Sequence, residues 1–312
     1  MILTITLNPA VDISYRLNHL SIDSVNRVNG VTKTAGGKGL NVARVLHQLE
    51  EDVAASGFLG GSLGNFISSQ IAELGIQDYF VPIKGETRNC IAVIHDGKQT
   101  EILESGPNID LDEAALFLEK FTVYVQQVDI VTISGSLPKG IANDFYEKLL
   151  TIAAEHKTPV LLDTKGELLA ITLKSKTKPF LIKPNQDELA DLVGKNLAEE
   201  ADIIDALNTS IFADVPWVVV TLGAKGAIVK NEGIIYRVMA PKVDATNPVG
   251  SGDSVIAGFA AGLSRGLKGE DLVKFGLTMG VLNAMEESTG QIDPEKVEWC
   301  VGEMEVEKIA GD

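Results

Sequence analysis

The chain has 312 residues, with 27 Lys and Arg against 43 Asp and Glu, a formal net charge of −16 and a pI near 4.7. Its 45% hydrophobic residues and mean hydropathy of +0.14 suffice for a buried core, which excludes disorder as the overall state. The acidic balance argues against nucleic acid and anionic membrane as partners, because both attract cationic surface. The charge is unevenly spread. From Ser24 to Leu49 the chain runs twenty-six residues without Asp or Glu and carries Arg27, Lys33, Lys38 and Arg44. A small anionic ligand is therefore compatible with an acidic protein.

At the N-terminus, Met1–Leu7 has no basic n-region and meets Asn8-Pro9 too early for a signal peptide. No apolar run reaches the ~18 residues of a membrane span. Cys90 and Cys300 are the only cysteines. A cytoplasmic protein in a reducing compartment is the expectation. Leu3, Ile5 and Leu7 alternate with Thr, so residues 2–7 read as a strand. Residues 12–34 and 86–104 show strand-like alternation with no intervening helix, and Asp96-Gly97 is a hairpin signal. They predict a small, largely antiparallel sheet apart from the main body, with one face hidden against substrate or a second subunit.

Helical spacing occurs over 39–49, 66–74, 111–125, 143–156 and 188–193. Short Val/Ile/Leu runs occur at 128–134, 159–163, 180–183 and 217–222. Strands buried on both faces have such continuous apolar runs. Their alternation with helices predicts an α/β fold with a mostly parallel sheet. The cluster Lys174, Lys176 and Lys178 reads as a solvated loop.

Two glycine-rich segments stand before predicted helices. Ala35-Gly36-Gly37-Lys38-Gly39-Leu40-Asn41 allows close backbone approach to a ligand and offers unpaired helix N–H groups, with Lys38 and Asn41 beside them. Asn247-Pro248-Val249-Gly250-Ser251-Gly252-Asp253-Ser254 opens the helix 254–263, which is rich in Ala and Gly. Asp253 there serves either as a complement to the helix dipole or as a general base beside an anion hole for a phosphoryl group. No G-x-x-x-x-G-K-[ST] loop is present, and Gly250–Val255 misses the dinucleotide fingerprint at its last position. Four scattered histidines and two cysteines have no zinc spacing.

Together, Gly36-Gly37-Lys38-Gly39-x-Asn41-Val42-Ala43 and Asn247–Ser254 resemble the two signatures of the ribokinase/PfkB family of carbohydrate kinases. The resemblance runs from Thr6 to about residue 290. It implies a ribokinase-like three-layer α/β/α sandwich over 1–312, a single kinase domain, with a small β-sheet lid formed by 12–34 and 86–104. It further implies ATP and Mg²⁺ as cofactors and a sugar phosphate as the acceptor, with a homodimer formed through the lid sheet.

Residue by residue, the resemblance makes Asp253 the base, with the N–H groups of Gly250, Ser251, Gly252 and Asp253 around the transferring phosphoryl. Asp12, Gly37, Lys38, Asn41 and Ser136 are the expected sugar contacts. Arg88 would bind the phosphate the acceptor already carries, a task suited to the forked donors of a guanidinium. Arg27 would assist from a neighbouring subunit's lid. On the nucleotide side stand Lys183, Asn185, Thr221, Gly223, Lys225 and Gly226, with Asn283 near the adenine. Glu188, with Asn185, would hold magnesium through water, although the same pair has the spacing of a helix capping box. Arg88 and the acid-free window favour a phosphorylated sugar over ribose or adenosine. An oxidoreductase and a non-catalytic sugar-phosphate sensor are the rival readings. The first lacks its fingerprint, and the second would not retain a base beside an intact anion hole.

Overall fold

The Val/Ile/Leu runs form the middle of an eleven-stranded sheet in a computed structural model that describes residues 1–311. From one edge the strand order is Glu305–Ala310, Ile234–Met239, Ala227–Asn231, Trp217–Thr221, Leu181–Ile182, Val160–Asp163, Ile130–Ser134, Ile2–Thr6, Val53–Leu59 and Gln77–Asp78, with Val81–Pro82 also pairing Val53–Leu59. Pairing is parallel from Trp217–Thr221 to Gln77–Asp78 and antiparallel in the meander at the other edge. Consecutive apolar residues serve both faces. Trp217 and Val219 enter one core, while Val218 and Val220 enter the other.

Helices cover each face, which makes three layers. Lys38–Gln48, Ser251–Ser264, Gly269–Met285 and Val297–Glu303 supply one core. Leu111–Tyr124, Phe145–Glu155, Gly166–Lys174, Gln186–Val193 and Glu200–Leu207 supply the other. Reciprocal side-chain caps start two of the latter helices, at Asp110 with Glu113 and at Asn185 with Glu188. The helix that sequence periodicity places at 66–74 begins earlier, at Gly61, because Gly60 and Gly61 form the turn out of the preceding strand. The strand Val53–Leu59 and the helices Gly166–Lys174, Glu200–Leu207 and Gly269–Met285 add to the elements expected from sequence.

The second sheet has four strands, in the order Val31–Gly36, Ala10–Arg16, Arg88–His95 and Lys98–Leu103. Two of its three pairings are antiparallel, and Ala10–Arg16 runs parallel to Arg88–His95. Residues 17–30 between the first two strands carry no regular structure, so 12–34 is two strands and a long connector. Alternation divides the faces. Val11, Ile13, Tyr15 and Ile91 pack toward helix Gly61–Glu73, which covers the back of the sheet. Asp12, Ser14, Arg88, Cys90 and Glu101 face a cavity above the main sheet.

Helices Ser251–Ser264 and Gly269–Met285 make the most extensive helix pair of the fold, and their approach depends on small residues. A Cβ added at Gly258 would lie 2.6 Å from the Gly276 carbonyl oxygen and 2.7 Å from Met279 Cγ. Gly258→Val is expected to cost about 1–3 kcal/mol by forcing the helices apart. Urea denaturation checks this, and unchanged stability would contradict the close contact.

Candidate active site

A cavity of about 1410 Å³ lies where the parallel strands end, between them and the lid sheet. Open α/β sheets place ligands in such a crevice, outside the carboxyl ends of their strands. The strand ends contribute Thr6 and Asn8, Ser134 to Ser136, Asp163 and Thr164, Lys183 and Asn185, and Thr221. Both glycine-rich segments converge on it. Lys38–Gln48 starts at Gly37 (φ 111°) with no side-chain cap and no acid in its first turn. Ser251–Ser264 starts at Gly250 (φ 84°), also without a side-chain cap. The first N–H groups of a helix have no intrahelical partner, so both positive helix ends are open to the cavity.

Asp253 lies in the first turn of the second helix and is buried. Its Oδ2 accepts a hydrogen bond of 2.7 Å from Asn41 Nδ2. Burial and the neighbouring Asp163 push its pKa up to about 6, against the opposing pull of Lys38, Asn41 and Lys183. Asp163, at the end of strand Val160–Asp163, is 1% exposed. It accepts from Lys38 Nζ at 3.0 Å and sits 3.4 Å from Lys183 Nζ, an ion pair without hydrogen-bond geometry. Burial alone would raise its pKa, but the two ammonium groups outweigh burial and hold it below the ordinary value. Burial opposes the charge on Lys38 in turn, and Asp163 and Asp253 reverse that, raising the Lys38 pKa. Lys183 reaches the helix terminus because residue 252 is glycine. A Cβ there would lie 2.8 Å from Lys183 Nζ.

On the lid side, burial raises Asp12 to about 6 despite the pull of Arg44 and Arg88. Arg88 donates to the carbonyls of Glu104 (2.9 Å) and Asn8 (3.0 Å), and its buried Nε has no partner. The guanidinium is thus held rigidly by backbone at the cavity wall, with an unused donor. Asn8 Oδ1 beside it is also buried and unpaired.

The structure therefore gathers Asp12, Gly37, Lys38, Asn41, Arg88, Ser136, Lys183, Asn185, Glu188, Thr221, Gly250, Gly252 and Asp253 around one cavity. Other expected residues lie elsewhere. Arg27 is exposed in the 17–30 connector and does not line the cavity of its own chain. Ser251 N–H donates to the Pro248 carbonyl at 3.2 Å and is thus engaged within the chain. Gly223 and Lys225 form an exposed turn beyond Thr221. Gly226 closes that turn, since a Cβ there would meet the Val238 carbonyl at 2.0 Å. Asn283 is fully buried, does not line the cavity, and has its amide bonded to Val249, Gly290 and Ser254. The capping box of Asn185 and Glu188 is formed, with Glu188 N–H to Asn185 Oδ1 at 2.8 Å and the return bond at 3.0 Å. Asn41 serves Asp253 and accepts from Arg44, so its amide is already engaged within the chain.

Asp163, Arg44 and Asn8 carry no recognised spacing and were absent from the expected set. The signal for Asp163 was a lone carboxylate ending a buried apolar strand, Val160-Leu161-Leu162-Asp163.

A sandwich of this kind, with a lid and two glycine-led helix ends facing a buried carboxylate, defines a phosphoryl-transfer class of site. Residues 5–296 match the pfkB family carbohydrate kinase, and the chain belongs to that family. It is 46% identical over 310 residues to a tagatose-6-phosphate kinase of Staphylococcus epidermidis, covering 99% of this chain and 100% of that one. Crystal structures of Escherichia coli phosphofructokinase-2 superpose well. The potassium complex has a TM-score of 0.88 at 27% identity, and the fructose-6-phosphate complex has 0.86 at 26%. Each covers 96% of this chain and 98% of the other.

A raised pKa in the folded chain means that folding disfavours the ionised form of Asp253. The resulting penalty is full above pH 6 and disappears as pH falls from about 6 to the ordinary value of 3.8. Asp253→Asn is expected to raise Tm at pH 8, with the difference shrinking to nothing near pH 4. Thermal melts of both proteins across that range test it, and a lower Tm for the variant at pH 8 would refute the assignment.

Proposed function

We propose that the protein transfers the γ-phosphoryl group of ATP to the 1-hydroxyl of D-tagatose 6-phosphate, giving ADP and D-tagatose 1,6-bisphosphate. Such a reaction belongs to lactose and galactose catabolism. The observation that carries the kinase reading is Asp253, a buried carboxylate in the first turn of an uncapped helix, beside Lys183 and within the field of Lys38. The carboxylate takes the proton of the 1-hydroxyl as its oxygen attacks the γ-phosphorus, and the bond to the β-phosphate oxygen breaks. The N–H groups of Gly252 and Asp253 and the Lys183 ammonium face the charge on the transferring group. The choice of tagatose 6-phosphate rests on the Staphylococcus epidermidis relative and on Arg88 at the cavity wall.

The donor set fits magnesium. Asn185 and Glu188 line the cavity, and Glu188 keeps Oε1 outside the capping box as an oxygen ligand, directly or through water. Among the described residues no three His, Cys, Asp or Glu are grouped to enclose a metal, which suits an ion that keeps its waters and shares phosphate oxygens. When bound, the ion offsets the phosphate charge that an acidic protein would otherwise repel. Among the described residues no helix is long and apolar enough to cross a membrane, and both cysteines are free, which supports the cytoplasmic assignment.

A homodimer through the lid is supported by the 17–30 connector. It carries Arg27 outside its own chain's cavity and leaves Ile22 84% and Val25 77% exposed. Light scattering across concentrations with sugar phosphate present should report a dimer, and a monomer throughout would contradict the arrangement.

The nearest rival is a 1-phosphofructokinase acting on fructose 1-phosphate. A coupled assay on tagatose 6-phosphate, fructose 6-phosphate and fructose 1-phosphate decides between them. The expected order places tagatose 6-phosphate first and fructose 6-phosphate second, since these differ only at C4 and a polar group must read that hydroxyl. A preference for fructose 1-phosphate would refute the proposal. Arg88→Ala should raise the sugar-phosphate KM about 10- to 100-fold, the loss of a charged hydrogen bond, and leave the KM for ATP near its original value.

A further inference from the structure

We propose that Asn283 is a positioning residue that keeps the phosphoryl-binding helix end in register with the base, an inference that rests on the kinase reading above. Asn283 lies near the end of helix Gly269–Met285, is 0% exposed and does not line the cavity. Its Nδ2 donates to the Val249 carbonyl at 2.9 Å, and its Oδ1 accepts from Gly290 N–H at 2.9 Å. Those partners define the orientation of the amide, because a carbonyl can only accept and a backbone N–H can only donate. Ser254 Oγ lies 3.1 Å from the same Oδ1 and 3.0 Å from the Gly250 carbonyl, within reach of both acceptors for its single proton. The next residue, Ala284, accepts from the N–H groups of Thr246 and Asn247 at 2.7 and 3.0 Å. The segment that leads into the second glycine helix is therefore fastened to one helix end.

Two consequences reach the reacting atoms. Gly250 sits at φ 84° against the 289–290 turn, where an added Cβ would lie 2.4 Å from Thr289 Cγ2 and 3.2 Å from Gly290 N. Its geometry sets where the N–H groups of Gly252 and Asp253 point. Gly290 in turn packs on the other glycine helix, with an added Cβ 3.0 Å from Asn41 Cα and 3.2 Å from Arg44 Nη2. Asn41 is the residue that donates to Asp253. One amide thus braces the anion hole on one side and the partner of the base on the other. Asp at 283 could not donate to Val249, and Leu could do neither task, although both have nearly the same shape as Asn. Leaving the Val249 carbonyl and the Gly290 N–H unpaired in the interior would favour displacement of both loops.

The test is steady-state kinetics of Asn283→Leu, Asn283→Asp and the milder Ser254→Ala, with concentrations corrected for folded protein from thermal melts. The expected result is a kcat about 10- to 100-fold lower for the two Asn283 variants and a smaller loss for Ser254→Ala. KM for the sugar phosphate should stay within about twofold, since Arg88 and Asp12 are untouched. The acid limb of the kcat/KM profile should move to higher pH as the Asn41 hydrogen bond to Asp253 loosens. A purely structural role would lower Tm and leave kcat per folded molecule and the acid limb in place, and that outcome overturns the proposal. Should the Asn283 variants fail to fold, an unchanged kcat in Ser254→Ala overturns it equally. An inactive natural protein would overturn the kinase reading together with this one, whereas an active natural protein with variants matching it overturns only the role of Asn283.

Discussion

A carboxylate held out of water between two ammonium groups governs this site. Asp163 is placed by the register of its strand, which pairs it with Ser134 of the neighbouring strand. Lys38 comes from the first turn of one glycine helix and Lys183 from the end of the next parallel strand. Taking such charges out of water is costly, and removing Asp163 would leave the buried Lys183 ammonium without its carboxylate. The cluster therefore ties three separate elements to one point. It also sets the electrostatic surroundings of Asp253, which is raised by burial and by Asp163 and restrained by the two lysines.

Local charge accounts for an acidic protein serving anionic ligands. The net charge of −16 belongs mostly to the outer surface, whereas the acid-free window from Ser24 to Leu49 supplies Lys38 and Arg44 to the cavity. Helix Lys38–Gln48 has no acid in its first turn, unlike Leu111–Tyr124 and Gln186–Val193, whose ends carry their own carboxylates and capping boxes. A helix end that binds a ligand must leave its N–H groups free, while one that only supports the fold satisfies them itself. The lid completes the enclosure with Asp12 and Arg88 on its cavity face and a helix against its back.

Much of this was legible along the chain. Continuous runs such as Trp217–Thr221 announce strands buried on both faces, and the two glycine segments announce helix ends meant for a ligand. Period-two alternation marked the lid, because one face packs on helix Gly61–Glu73 and the other does not. Residues whose role depends on a distant partner were not legible. Asp163 gains its meaning from Lys38, 125 positions away, and Asn41 from Asp253, 212 positions away. Asn283 looked like a nucleotide contact by family position, yet its amide is consumed inside the protein. Arg27 sat in the informative window but on a connector that carries it away from its own cavity.

The amino-acid sequence by itself determined the layered α/β fold, the small second sheet and the two glycine-led helix ends. Each depends on local pattern: hydrophobic period or glycine placement. The tertiary structure alone decided how those pieces act together. It decided that Asp253 is buried and that its pKa is pushed up, that Asp163 pairs two lysines, and that Ser251 N–H is engaged by Pro248. Desolvation and ion pairing depend on what surrounds a group in three dimensions, and spacing along the chain does not carry that information.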